Sequence, residues 1–223
     1  ADKYNLKVIY DAAHAFGVKY KGKGIGNYGD ASVFSFHATK VYNTIEGGAV
    51  TFSDHKLYEK LYNLKNFGIR GEELVTSVGA NAKMNEFCAI MGLCNLKHID
   101  EAFKNREERY NYYMKELGKA KGIRFFLKRE GATNNFAYFP IIVEDDYGIS
   151  RDELYDRFHE NNIYSRKYFY PITADQACFR NKYREDKLDN ARDLAQRVMT
   201  IPFYENMSYE NMCKVLEVIT AKK

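Results

Sequence analysis

Two short β-like runs, each followed by a side chain capable of chemistry, set the tightest limit on how this chain can fold. Residues 6–10 read as a strand that ends at Asp11. Residues 31–36, with Val33 and Phe34 at their centre, read as a second, and Lys40 follows it 29 positions after Asp11. Open α/β sheets bind ligands just outside the carboxyl ends of their parallel strands, which is where such an acid would lie. Each residue also has a plainer reading. Asp11 before Ala12-Ala13-His14 makes a good helix N-cap, and a lysine after a polar loop is normally solvated. His14, three residues on, faces the same side as Asp11 if a helical turn forms, or else serves as a packing histidine. For Lys40 to act as a nucleophile, desolvation or a neighbouring cation must lower its affinity for the proton.

The rest of the chain alternates strand and helix signals. Residues 21–30 contain Gly22, Gly24, Gly26 and Gly29 and read as a loop. Their order is not that of a dinucleotide fingerprint, and no Gly-Lys-Ser/Thr follows. Gly47-Gly48 marks a turn before a strand at residues 48–52. Leu57, Leu61 and Leu64 give residues 54–66 a helical period. Residues 85–96 read as a buried helix, and residues 99–117 as a long amphipathic one. Strands are expected at 124–128, 136–143, 163–169 and 200–203, with helices at 150–161, 188–198 and 209–220. Ser150 and Glu153 form a capping box for one helix, and Ser208 caps the last. This texture predicts an α/β chain divided into residues 1–98 and residues 99–223, the second part being a long linking helix and a small α+β domain.

The composition excludes several partners. A formal charge of +4 over 223 residues suits an anionic small molecule and is too dispersed to argue for nucleic acid. The cluster Lys19-Tyr20-Lys21-Gly22-Lys23 reads as solvated loop charge. Cys88, Cys94, Cys178 and Cys213 show neither a C-x-x-C pair nor metal-type spacing with the histidines, so no metal is expected and free thiols in a reducing compartment are. No apolar run approaches the ~18 residues of a membrane span, and the start lacks a signal-peptide pattern. A cytoplasmic, membrane-free protein is the expectation.

An acid and a lysine placed as Asp11 and Lys40 are what a pyridoxal phosphate enzyme needs. The lysine holds the cofactor as a Schiff base and the acid keeps its ring nitrogen protonated. Ser35 and Thr39 add hydroxyls suited to a phosphate. Four ordered segments sharpen the match: Asp-Ala-Ala-His-Ala-Phe-Gly at 11–17, Ser-Phe-His-Ala-Thr-Lys at 35–40, Glu-Gly-Gly-Ala at 46–49 and Gly-Ala-Asn-Ala-Lys-Met-Asn-Glu at 79–86. Together with Tyr170-Pro171 and Ile201-Pro202-Phe203, they resemble the DegT/DnrJ/EryC1/StrS family of sugar aminotransferases, of pyridoxal phosphate fold type I.

That resemblance implies a set of roles. Lys40 binds the cofactor covalently and later shuttles the proton between cofactor and substrate carbons. Asp11 pairs with the pyridinium nitrogen. His14, where many relatives have glutamine, contacts the ring face or its 3-hydroxyl, and Ser35 donates to the phosphate. Asn81 reaches the phosphate in the partner subunit's site, which makes the active unit a homodimer; a Gly-x-Asn turn also has a structural use as a left-handed cap. Some relatives carry histidine in place of the lysine and dehydrate their sugar, so Lys40 favours amino transfer. The context of Lys40 is most similar to enzymes acting on the 4-keto carbon of dTDP-4-keto-6-deoxyglucose, with L-glutamate as donor. A non-catalytic regulatory or sugar-binding member of the same fold is the alternative.

The resemblance also implies what is missing. The family's complete chain has a long segment before Asp11 that supplies most of the central parallel sheet. Residues 1–98 are therefore expected to be the C-terminal portion of the cofactor-binding large domain, and this polypeptide a fragment of the enzyme, inactive alone. Open sheet edges in such a piece would invite aggregation.

Overall fold

Short strands joined by glycine turns dominate the first part of the chain, and helices around an antiparallel sheet dominate the second. The computed structural model describes residues 1–126, 128–179 and 187–221. They fall into two units: Ala1–Glu101 with Arg129–Ala137, and Ala102–Lys128 with Tyr138–Lys223.

In the first unit, β1 (Ile9–Asp11) is followed by a hairpin of β2 (Lys19–Tyr20) and β3 (Lys23–Gly24). The glycine-rich stretch expected as a loop at residues 21–30 thus contains one short strand, β3, near its start. Lys21 and Gly22 both take left-handed backbone, φ 48° and 77°, as a two-residue type I′ hairpin turn requires. Next come β4 (Ala31–Ser35), β5 (Gly48–Phe52), α1 (Lys56–Lys65), a second hairpin of β6 (Ile69–Gly71) and β7 (Leu74–Val75), and α2 (Glu86–Leu96). The main sheet has the order β1-β4-β5. β1 runs parallel to β4, pairing Asp11 with Val33, and β4 runs antiparallel to β5, pairing Ser35 with Gly48. At Gly48 a Cβ would lie 2.7 Å from the Phe34 carbonyl oxygen, so only glycine lets the two backbones close here.

α2 corrects one expectation. Its apolar composition predicted a buried helix, yet only Cys88 and Gly92 are buried, and Phe87 is 83% exposed. Composition signals that a helix needs cover; among the described residues none covers Phe87, Ile90 or Leu93.

α3 (Ile99–Leu117) spans the predicted amphipathic stretch and carries the chain into the second unit. There β8 (Ile123–Phe125), β9 (Phe139–Val143), α4 (Arg151–Glu160), β10 (Arg166–Lys167), α5 (Asp189–Arg197), β11 (Val198–Ile201) and α6 (Tyr209–Thr220) follow. The sheet has the order β10-β11-β9-β8 and is antiparallel throughout. Ser150 and Glu153 form the predicted capping box, and Ser208 caps α6. The strand expected at 163–169 shortens to β10, and Phe169 turns left-handed at φ 51°. The expected strand at 124–128 includes residue 127, which lies outside the described residues. Tyr113, Leu117, Phe139, Phe158, Met199 and Met212 form a sealed core. Full burial of such side chains contributes about 1.5–3 kcal/mol each.

All four cysteines are free thiols. Among the described residues no group of histidine, cysteine and acidic side chains is arranged to hold a metal, and no helix is long and apolar enough to cross a membrane.

Candidate active site

Because β1 and β4 are parallel neighbours, Asp11 and Val33 project from the same face of the sheet, and Ser35 shares that face two residues on. Beyond Ser35 the chain closes a loop that carries Lys40. Phe36 N donates to Gly47 O at 2.8 Å and Thr44 N to Phe36 O at 2.9 Å. Inside the loop, Lys40 N donates to His37 O at 2.9 Å and His37 Nδ1 lies 2.9 Å from Thr39 Oγ1. Ser35 Oγ accepts a long bond from His37 N at 3.4 Å, leaving its hydroxyl proton available to a ligand.

Electrostatics tie Asp11, His14 and Lys40 together. Burial holds the Lys40 ammonium below the ordinary lysine value of 10.5, and the Asp11 carboxylate pulls in the opposite direction. Burial lowers the His14 pKa from 6.5, the Lys40 charge lowers it further, and Asp11 opposes both. Burial and the Lys40 charge thus both favour the neutral imidazole over its protonated form. Among the described residues Lys40 Nζ has no hydrogen-bond or ion-pair partner. An amine that is partly desolvated and not locked in a salt bridge is suited to nucleophilic attack.

Asp11 does not cap a helix. Its Oδ1 accepts Ala13 N at 3.0 Å and starts a turn instead. Asn81 stands apart from the other four predicted residues. It is exposed, its backbone bridges to Asn66, and no hydrogen bond links it to Asp11, His14, Ser35 or Lys40. Its backbone is not left-handed, which removes the cap reading.

Several supporting residues escaped the sequence reading. Phe16 stacks on Tyr42 with centroids 4.3 Å apart, and Phe36 meets the Tyr42 ring edge-on at 4.9 Å. Buried Thr44 donates to Glu46 O at 2.8 Å. α2 braces this loop from behind: Asn95 Nδ2 donates to Asn43 O at 2.9 Å, and a Cβ on Gly92 would lie 2.7 Å from Thr44 Cγ2. The tyrosine and phenylalanine contacts had a sequence signal in their apolar positions. Asn95 had none.

Comparison with known proteins places this geometry in context. The sequence model of the DegT/DnrJ/EryC1/StrS aminotransferase family matches residues 1–220. A dTDP-4-amino-4,6-dideoxy-D-glucose transaminase of Shigella dysenteriae is 41% identical over 221 residues, covering 99% of this chain and 59% of the relative. The Escherichia coli protein of the same name is 37% identical, covering 100% of this chain and 61% of its own. The solved structure of DesI with its TDP-sugar product superposes with a TM-score of 0.90 at 31% identity, over 98% of this chain and 56% of DesI. The chain thus spans about 59% of the length of its Shigella relative.

Proposed function

The chain belongs to the DegT/DnrJ/EryC1/StrS aminotransferase family, and from that premise we propose that it serves pyridoxal phosphate-dependent transfer of an amino group from L-glutamate to a nucleotide-linked 4-keto-6-deoxy sugar. The transaminase names of the two relatives above support the sugar class and the 4-position. One observation carries the reading: Lys40 offers an amine without an ion pair, of lowered proton affinity, in the field of Asp11 and His14.

The donor set fits the cofactor. An amine suits its aldehyde, a carboxylate its ring nitrogen, and a serine hydroxyl at the neighbouring strand end its phosphate. Pyridoxal phosphate, when bound, supplies an electron sink for negative charge developing at the carbon that bears the amino group. Asp11 would keep the ring nitrogen charged, and Ser35 would donate to the phosphate. His14, whose neutral form is favoured by burial, would contact the ring or its 3-hydroxyl. Lys40 would make the covalent attachment and, once released, carry a proton to and from the substrate carbon. Asn81, remote from this cluster in its hydrogen bonding, would contact the phosphate in a partner subunit's site, so the active unit would be a homodimer. Residues 1–98 would then be the cofactor-binding portion and residues 99–223 the linking helix and small domain. A cytoplasmic setting suits free thiols and a nucleotide-sugar substrate.

The test is spectroscopic. The intact protein is expected to show the absorbance band of lysine-bound pyridoxal phosphate, and Lys40→Ala to lose it. L-glutamate should convert the wild-type band to that of the aminated cofactor, which a non-catalytic sugar-binding protein would not do. A band unchanged by Lys40→Ala would overturn the assignment.

A further inference from the structure

We infer that Asn135 is a positioning residue: by clamping the turn at residues 12–17, its side chain sets where His14 stands. After β8 the chain does not turn straight into β9. It runs residues 129–137 back to the β2–β3 hairpin as an irregular segment of the first unit. Lys21 N donates to Gly131 O at 2.7 Å, Thr133 N to Lys19 O at 2.8 Å, and Lys19 N to Thr133 Oγ1 at 2.8 Å. Tyr20 and Ala132 pair as an antiparallel bridge. The segment ends in a tight bend, where Asn134 Oδ1 accepts Phe136 N at 2.8 Å and Phe136 takes φ 51°.

That bend carries Asn135, which is only 7% exposed. Its Nδ2 donates to His14 O at 2.8 Å and to Phe16 O at 3.0 Å, using both amide protons. The turn that receives them forms no helix. Its own backbone bonds run from Ala15 N to Ala12 O and from Val18 N to Ala15 O. A part-buried carbonyl that loses its donor must find another partner or pay for the loss, so these two bonds favour the shape of the turn that presents both carbonyls to Asn135. Holding the peptide planes after His14 and after Phe16 constrains the backbone from which those two side chains leave. Phe16 then seats on Tyr42, and His14 enters the field shared by Lys40 and Asp11. Asn135 reaches no reacting group itself.

The consequence for catalysis rests on the proposed function; the placement of His14 does not. The test uses the intact protein and Asn135→Leu, which keeps size and neutrality but removes both donors. The His14 imidazole is titrated by NMR without cofactor. Its midpoint is expected to move by about half a pH unit or more, roughly a threefold change in protonation equilibrium. With cofactor bound, kcat is expected to fall about tenfold with the KM for L-glutamate little changed. In a His14→Gln background the same substitution should lose most of its effect on kcat, since the two act through one another.

An unmoved His14 midpoint in folded Asn135→Leu, or an equal loss of kcat in both backgrounds, would overturn the inference. Should Asn135→Leu fail to fold, Asn135→Ser serves in its place, and wild-type titration and kcat there would overturn it too. In the wild-type protein the Asn135 amide protons should exchange slowly with solvent; exchange at the rate of an exposed amide defeats the inference without any variant. If wild-type protein shows no lysine-bound cofactor band, the proposed function fails while the imidazole titration still judges Asn135. If the band is present and the midpoint does not move, Asn135 fails alone.

Discussion

In the second unit Tyr113, Phe139, Phe158 and Met212 are sealed from solvent, whereas in the first Ile9, Val78 and Phe87 stand largely in it. The buried apolar residues of the first unit are Ala12, Tyr42 and Cys88. Two of these lie at the candidate site, in the turn after β1 and in the Lys40 loop. The difference separates two ways of ordering a chain. The second unit is held by a core, so its stability is spread over many contacts. The first holds its site through hydrogen bonds to backbone carbonyls, glycine close approaches and one aromatic cluster, and leaves its sheet face and α2 needing cover from outside the described residues. Such a site can be locally well defined while the unit around it is weak.

The comparison breaks most plainly if the units are separated. Residues 102–223 expressed alone should unfold cooperatively on heating, while residues 1–101 should show no cooperative transition and should aggregate. Calorimetry on both pieces decides, and a sharp transition in residues 1–101 would mean that the core argument is wrong. Paired truncations sharpen it. Phe158→Ala, in the sealed core, should cost about 3–5 kcal/mol in denaturant titration. Phe87→Ala, on exposed α2, should cost less than about 0.5 kcal/mol in this chain; a large loss there would show that α2 is covered in solution.

A smaller effect is expected where α2 meets the Lys40 loop. Gly92→Ala forces a methyl group against Thr44 Cγ2 and against Tyr42 Oη at 2.8 Å, and should cost about 1–3 kcal/mol by overpacking. Its denaturation midpoint is the measure, and an unchanged value would show that the loop can yield.

The gentlest probe is pH. The folded Lys40 ammonium titrates below 10.5, so the folded state binds fewer protons than the unfolded one between those two values. Lys40 therefore opposes folding at low pH, and the penalty fades as pH rises past the folded value towards 10.5. Reactivity follows the same order. Lysine-directed acylation read by mass spectrometry should label Lys40 at lower pH than surface lysines, and a later midpoint would show that burial does not govern it.

Much of this was legible locally. α3 was bounded by its amphipathic period, and α4 and α6 by serine caps, because capping acts within one turn and leaves a fixed spacing. Asp11 and Lys40 could be paired because each follows a β-like run. Long-range features were not legible. α2 reads as buried because composition reports a need for cover but not its presence. The β2–β3 hairpin hid in a glycine-rich stretch, since positive φ at Lys21 is a property of the turn and not of lysine. Asn135 and Asn95 carry no periodic or motif signal; they matter through carbonyls far away in the chain.

The bridging segment at residues 129–137 has a consequence for the birth of the protein. The ribosome releases the chain from its N terminus at roughly 5–20 residues per second. His14 and Asn135 are 121 residues apart, so the turn waits on the order of 10 s for its clamp at that speed. During that interval the residues of the candidate site are already made but not yet locked, and most of the long helix has been completed before they are. The turn that holds His14 is in this respect made long before it is finished, and a chaperone that guards the nascent chain would have to hold it until Asn135 emerges.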